Sequence, residues 1–322
     1  MSQAASARPC ILLGFGFAGR VREAFTQRFD VLGVIERPDP ALVTAEWAAR
    51  ARGLVTMGSI GATDAFMAAL PQVSIICCYG TGFERIDTAA AKRRNVVVTH
   101  SPDVNAPDVA DLAMGLLLAS ARRVAVADRF VRAGQWTARV PGRFGHIAGL
   151  GGGRLGVLGL GAIGSRVATR AAAFDMEIGY HNRRRRSDVA WRYFDSALAL
   201  AEWCDYLVVA CRADDSNRHM VDARLLRALG SRGHLINISR GSVVDEAALA
   251  DALEARLIEG AGLDVFEQEP KVHPKLLALD NVVMTPHLGG GTERAIAAMT
   301  GLVIGNLEAH FAGGAALTPV PA

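Results

Sequence analysis

Three polar residues in the second half of the chain stand in short loops that follow β-rich runs. Arg240 lies in Ile238-Ser239-Arg240-Gly241, Glu269 in Asp264-Val265-Phe266-Glu267-Gln268-Glu269-Pro270, and His287 in Thr285-Pro286-His287. A guanidinium, a carboxylate and an imidazole are the side chains that grip anions and move protons near neutral pH. In an open parallel sheet, ligands gather beyond the carboxyl ends of the strands, so three such loops can converge on one cleft. Taken singly, each residue also fits a plainer role: a surface arginine, a turn acid, a loop histidine.

The spacing G-x-G-x-x-G occurs twice, at Gly14, Gly16 and Gly19 and again at Gly159, Gly161 and Gly164. Each set lies between a strand-like run and a helix-like run. Such glycines permit a tight turn, close backbone approach to a pyrophosphate and intimate helix–strand contact, while the helix amides meet the phosphates. After the first set, Glu36 ends the next strand, where an acid grips a ribose hydroxyl. After the second there is no acid; the strand ends in Tyr180 and His181, followed by Asn182, Arg183, Arg184, Arg185 and Arg186. Guanidinium groups there suit a 2′-phosphate, and the missing carboxylate removes the repulsion that would exclude it. This predicts NADP(H) in preference to NAD(H), with Asn182, Arg183 and Arg184 as contacts and Arg185 and Arg186 idle. A solvated loop in an arginine-rich chain is the plainer alternative.

The elements that must position these residues read as α/β. Strand-like runs at 10–13, 31–35, 53–56, 73–78 and 96–99 alternate with helix-like pieces at 21–28, 63–70 and 87–93. A long apolar helix is predicted at 109–122. A second series follows, with strands at 154–158, 177–181, 206–211, 234–238, 260–264 and 282–284 and helices at 163–174, 222–229, 246–254 and 293–311. Alternation of this kind predicts parallel sheets, here in two open-sheet domains joined near residue 100.

Composition narrows the function classes. With 322 residues, 51% hydrophobic, a sizeable core can be buried, and about two domains are expected. Thirty-five basic against 32 acidic residues leave a net charge of +3 without the concentrated basic stripe of a nucleic-acid binder, apart from the 183–186 run. The start of the chain lacks an apolar stretch, and the 112–119 run is too short for a bilayer, which needs about 20 apolar residues. Five cysteines without scaffold spacing, Cys77 and Cys78 adjacent, predict buried reduced thiols and a cytoplasmic protein. No metal site is predicted.

From Arg154 to Pro319 the chain resembles the D-isomer-specific 2-hydroxyacid dehydrogenases. The motifs are Gly159-Leu160-Gly161-Ala162-Ile163-Gly164, Asn237-Ile238-Ser239-Arg240-Gly241, Ala261-Gly262-Leu263-Asp264-Val265-Phe266, Glu269-Pro270 and Pro286-His287. Within the family it looks most like the glyoxylate/hydroxypyruvate and hydroxyphenylpyruvate reductase branch, which favours NADPH. The tail Gly305-Asn306-Leu307-Glu308-Ala309-His310-Phe311 fits that branch.

The resemblance implies a Rossmann cofactor domain (101–287) inserted into a flavodoxin-like substrate domain (1–100 plus 288–322), and hence that the first glycine set is only a tight turn. It implies a homodimer. It implies that Arg240, Glu269 and His287 are catalytic: Arg240 grips the carboxylate of a 2-keto acid and polarises its carbonyl. His287 as imidazolium then supplies a proton to the carbonyl oxygen, and Glu269 stabilises that imidazolium and orients the ring. Asp264 would hold the nicotinamide carboxamide, and Cys211, Ile238, Ser239, Arg240, His287 and Gly289 would line the dinucleotide with the 159–164 loop. Gly58, Ser59, Thr81 and Gly82 would face the substrate together with Arg240 and His287.

The chain departs from the family in three places. Arg212 follows Cys211 where a proline is common. Leu288-Gly289-Gly290-Gly291 follows His287 where a small hydroxyl residue is common. The 140–153 segment is glycine-heavy and matches poorly, with Trp136, Arg139 and Phe144 nearby as candidates for a substrate mouth or a subunit contact. The expected activity is NADPH-dependent reduction of a small 2-keto acid to the D-2-hydroxy acid. An NAD-dependent dehydrogenase working oxidatively, or a dinucleotide-sensing binding protein without catalysis, are the alternatives.

Overall fold

A computed structural model describes residues 8–321 other than Ala18, Val140, Pro141 and His146. The chain divides into two compact units, one of Met1–Asn105 with Thr292–Ala322 and one of Ala106–Gly291. The sequence reading divides it a few residues earlier at both joints. The first joint falls where it does because the long apolar helix starts at Ala106 and packs from its first turns on the second unit, with Val109 and Ala110 in the core of Leu155 and Val157.

The first unit runs β1 (Cys10–Leu13), α1 (Gly19–Thr26), β2 (Asp30–Val34), α2 (Ala45–Arg50), β3 (Gly53–Thr56), α3 (Asp64–Ala69), β4 (Ile75–Cys78), α4 (Thr88–Arg93) and β5 (Val97–Thr99). Its five strands are all parallel in the order β2-β1-β3-β4-β5. Alternate residues face opposite ways along a strand, and both faces here are covered, which is why the strands read as unbroken apolar runs. Leu12, Leu54, Ile76 and Cys78 pack with Phe66 and Met67 of α3 and Ala90 and Ala91 of α4. Ile11, Leu13, Val55, Ile75 and Cys77 form a separate core on the other face.

The second unit contains α5 (Ala106–Ala121), α6 (Val124–Arg132), β6 (Arg154–Leu158), α7 (Ala162–Ala172), β7 (Glu177–His181), β8 (Arg192–Tyr193), α8 (Ala197–Trp203), β9 (Tyr206–Val209), α9 (Ala223–Leu229), β10 (His234–Asn237), α10 (Glu246–Glu254), β11 (Gly260–Leu263), α11 (Pro274–Ala278) and β12 (Val282–Met284). Seven parallel strands lie in the order β12-β11-β10-β9-β6-β7-β8. The chain steps outward from β6 to β8, then crosses to β9 on the other side, so the order reverses between β6 and β9. That is the position where open α/β sheets bind ligands. The chain then returns to the first unit as α12 (Glu293–Phe311), whose Ala295, Met299, Val303, Ile304 and Leu307 complete the core of Ile11 and Ile75.

Four helices and one strand are absent from the sequence reading: α2, α6, α8, α11 and β8. The first is only six residues, fixed by Thr44 accepting the Trp47 amide, and α8 is fixed in the same way by Ser196 and Ala199. Such short helices owe their existence to caps and packing rather than to a long periodic pattern. Two residues at a sheet edge leave no period at all. Among the described residues, no helix is long and apolar enough to cross a membrane, and no group of three or more His, Cys, Asp or Glu is placed to hold a metal ion.

Candidate active site

The three polar residues singled out above follow three adjacent strands. Arg240 comes after β10, Glu269 after β11 and His287 after β12, all at the carboxyl end of the second sheet. The loop of Arg240 is fixed from below by Asn237, which is almost fully buried. Its side-chain oxygen accepts the Ser239 amide (3.1 Å) and its nitrogen donates to the Arg240 carbonyl (3.0 Å). Next to Arg240, Gly241 lies flat on the following loop: a β-carbon there would sit 1.9 Å from the Phe266 carbonyl carbon. No residue but glycine lets the Arg240 and Glu269 loops approach this closely.

His287 Nδ1 lies 2.8 Å from Glu269 Oε2. Burial raises the Glu269 carboxyl, but the hydrogen bond and charge of His287, the Phe266 amide on Oε1 (3.1 Å) and the charge of Arg240 outweigh it, so the net shift is downward. An ionised carboxylate only accepts, so Nδ1 carries the proton and Nε2 is left for a ligand. Arg240 acts on the pair through its charge, and its own Nη1 donates to the Ser239 carbonyl at 2.8 Å.

His287 has φ of +54°, a left-handed conformation that costs a non-glycine residue roughly 1–3 kcal/mol. Asp264 holds it there. Its carboxylate, 2% exposed, accepts the Thr285 hydroxyl (2.6 Å), the Leu288 amide (2.7 Å) and the Gly289 amide (2.9 Å), thus bracketing His287 on both sides. The sequence reading gave Asp264 and Gly289 to the dinucleotide; in the structure both also shape the histidine loop.

The Gly159–Gly164 loop opens α7 at the point where strand order reverses. Gly159 has φ of +95°, and a β-carbon on it would lie 2.4 Å from the Cys211 backbone, while one on Gly164 would lie 2.1 Å from the Gly159 carbonyl oxygen. At Gly161 no atom lies within 4 Å of that position, and no side chain caps α7. Its first-turn amides and an open approach over Gly161 make a cradle of the kind a pyrophosphate fills. Ala162 and Ile163 form its first turn, and Leu160 is buried beneath. Burial pushes the Cys211 thiol up to about 11, and the Ser239 hydroxyl donates to the Cys211 carbonyl, tying the loops after β9 and β10 together. Ile238, buried, ends the strand below them.

The basic run divides by role. Asn182 Oδ1 accepts the Leu160 amide at 2.6 Å, so this residue locks the glycine loop. Arg183 is 84% exposed, with Asp214 at 3.4 Å, and Arg184 is exposed. Arg186 is not idle, as the sequence reading has it: Nη1 donates to the Leu160 carbonyl and the Ser165 hydroxyl, both at 2.8 Å, and the other nitrogens pair with Asp188. No local signal separates it from its three arginine neighbours.

The other residues expected to meet substrate, Gly58, Ser59, Thr81 and Gly82, fall in the first unit. Thr81 donates to the Ser101 carbonyl or Asn105 Oδ1, each at 3.1 Å, and the His100 Nδ1 donates to the Thr81 carbonyl at 2.9 Å. Gly58 is buried directly against Gly82, while Ser59 is exposed. In the first glycine set only Gly14 is close-packed, its amide on the Val55 carbonyl (2.6 Å) and a β-carbon on it 2.9 Å from that oxygen, while Gly16 and Gly19 are exposed; the rings of Phe15, Phe17 and Tyr79 pack together beside them in the chain or the core. Of the 140–153 segment, Val140, Pro141 and His146 lie outside the described residues. Phe144 packs edge-on against Phe130 of α6, and Trp136 is exposed.

Comparison with known proteins adds an independent line. A family model described as D-isomer specific 2-hydroxyacid dehydrogenase, NAD binding domain matches residues 114–289. Glyoxylate/hydroxypyruvate reductase A of Arabidopsis thaliana is 42% identical over 91% of this chain and 93% of its own. Hydroxyphenylpyruvate reductase of Plectranthus scutellarioides is 41% identical over 93% of this chain and 95% of its own. Among solved structures, an NADPH-dependent glyoxylate/hydroxypyruvate reductase from Sinorhizobium meliloti in complex with NADP and malonate aligns with a TM-score of 0.89 at 39% identity, covering 98% of this chain and 97% of that one.

Proposed function

This chain belongs to the D-isomer-specific 2-hydroxyacid dehydrogenase family, and from that premise we propose that it reduces a small 2-keto acid, glyoxylate or hydroxypyruvate in kind, to the D-2-hydroxy acid with NADPH. The observation that carries the reading is the 2.8 Å contact between His287 Nδ1 and Glu269 Oε2, with Arg240 on the neighbouring loop. The glycine cradle of 159–164 fits a dinucleotide, and the exposed Arg183 and Arg184 after β7, where no acid stands, support a contact with a 2′-phosphate. When bound, that cofactor supplies the hydride.

The chain's own residues do the rest. Arg240 binds the substrate carboxylate and polarises the adjacent carbonyl with fixed donors, drawing negative charge toward its oxygen. His287 donates its Nε2 proton to that oxygen as the carbonyl carbon becomes tetrahedral, leaving a neutral ring whose Nδ1–H still points at Glu269. Glu269 stays ionised throughout, orienting the ring and favouring its charged form before transfer. The backbone of the Thr81–Gly82 loop is proposed to offer amides to the substrate carboxylate.

A homodimer is proposed in addition, supported by α6, which leaves Val124 and Val131 more than half exposed beside Leu118. Cys77, Cys78 and Cys204 are buried and no disulfide joins the described residues, which supports a reducing cytoplasm.

The test is a panel of 2-keto acids with NADPH and with NADH, followed by absorbance of the reduced nicotinamide. Glyoxylate and hydroxypyruvate are expected to consume NADPH faster than NADH. Binding of NADPH with no oxidation across the panel would replace catalysis with dinucleotide sensing; an NADH preference would overturn the cofactor assignment.

A further inference from the structure

We propose that Glu246 is the positioning residue that sets Glu269 against His287. This deepens the dyad reading and rests on it. Glu246 is the first residue of α10, where an acid ordinarily serves the helix dipole. That end is already capped, because Asp245 accepts the Ala248 amide at 3.0 Å. Glu246 is instead 8% exposed and spends both oxygens elsewhere: Oε2 accepts the Glu267 amide (2.8 Å) and Oε1 the His273 amide (2.7 Å).

Those two amides bracket the loop that carries Glu269 and Pro270, which is closed internally by the Lys271 amide on the Gln268 carbonyl at 2.9 Å. Gly241 presses on the backbone of Phe266 and Glu267 from the Arg240 side. The Phe266 amide in turn holds Glu269 Oε1, so a loop fixed at 266, 267 and 273 leaves Oε2 aimed at His287. The charged and titratable groups around this arrangement are His287 and Arg240 on Glu269, Asp264, whose carboxylate brackets His287 through Thr285, Leu288 and Gly289, and Arg218 and His219, which engage the Glu267 carboxylate on the outer side. His273 itself supplies one of the two amides. A buried carboxylate with two charge-assisted bonds is a firm anchor, and losing one leaves an amide without its acceptor.

Glu246→Gln keeps the shape but can accept only one of the two amides, since its NH₂ is a donor. The expected result is a kcat about tenfold lower with KM and NADPH affinity within about twofold, and an alkaline limb of the pH–rate profile moved to lower pH. A second readout needs no cofactor: the His287 ring signal, followed by NMR in histidine-labelled protein, should titrate at lower pH than in the unaltered protein. His273→Pro removes the other amide donor at a residue whose φ of −57° already suits proline, and should shift the ring titration in the same direction.

A folded Glu246→Gln or His273→Pro protein with unchanged limb and ring titration overturns the proposal, as does failure of both variants to fold, which would make Glu246 a scaffold residue only. Glu269→Gln separates the two levels. If it moves the limb while Glu246→Gln does not, the positioning role falls and the dyad stands. If it moves nothing, the dyad itself falls.

Discussion

Gly58 lies so close to Gly82 that a β-carbon on it would sit 2.1 Å from the Gly82 carbonyl oxygen and 3.1 Å from the Phe83 amide nitrogen. Two loops of the first sheet are thereby pressed together, and the second is the one proposed to receive the substrate carboxylate. Gly58→Ala must push that loop aside. The expected outcome is a KM for the keto acid raised about tenfold or more, with NADPH affinity unchanged, measured by steady-state kinetics and by titration with NADPH alone. An unchanged KM would remove the loop from substrate binding.

Loss of the imidazole should be felt in turnover. His287→Ala is expected to lower kcat by about 10²–10⁴-fold with a modest change in KM, the range for removing a general acid. His287→Asn is the cleaner variant, because asparagine tolerates the left-handed backbone found at this position. An undiminished rate in either would end the proton-donor role.

Coenzyme choice is the third test. Arg183→Ala should lower the preference for NADPH over NADH roughly tenfold, the value of one charge-assisted contact of about 1.5 kcal/mol. Asp214→Asn should act oppositely, since the acid now lies 3.4 Å from that guanidinium and would face the 2′-phosphate. Ratios of kcat/KM for the two coenzymes decide it. The Arg186→Ala variant should differ in kind, losing stability and binding of both coenzymes because its guanidinium holds the Leu160 carbonyl.

Acid should destabilise the fold in a defined window. The Asp188 carboxyl is lowered by its hydrogen bond to Arg186, Asp214 by the Ser216 hydroxyl, and Asp251 by Lys275; for Glu269 burial works the other way and is outweighed by His287 and Arg240. A carboxyl that ionises more readily in the folded than in the unfolded chain adds stability that is complete above the unfolded range, near pH 4, and is lost as pH falls toward the lowered values. Melting temperature should therefore fall most steeply below about pH 4, after a smaller decline below about pH 6.5, where burial keeps His310 from protonating as readily as in the unfolded chain. A flat profile down to about pH 3 would contradict this.

Oligomeric state gives the last prediction. If the proposed dimer uses the exposed face of α6, the unaltered protein is expected to give dimer in light scattering and Val131→Asp to give monomer. A dimer that survives the change would place the interface elsewhere.

Much of the site was legible because its markers are local. Strands buried on both faces leave continuous apolar runs, and the loops after them carry Gly and Pro beside Arg240, Glu269 and His287. What escaped notice depends on tertiary approach. Glu246 looks like any acid in a first helical turn until its oxygens are seen on residues far along the chain. Arg186 is one of four consecutive arginines, and only the fold turns it inward. Asn182 reads as a phosphate contact, and the fold gives it a lock on the glycine turn as well, because the Leu160 amide faces it across the strand pair β6–β7.

The return of α12 to the first sheet has a consequence for biosynthesis. The face carrying Ile11, Leu13 and Ile75 is sealed by Met299, Val303 and Leu307, which leave the ribosome only after the whole second unit has been made. At about 5–20 residues per second, the nascent amino-terminal sheet waits on the order of ten seconds or more with greasy surface uncovered. The later-translated unit is thus free to mature first, and the earlier one is the natural client of a chaperone.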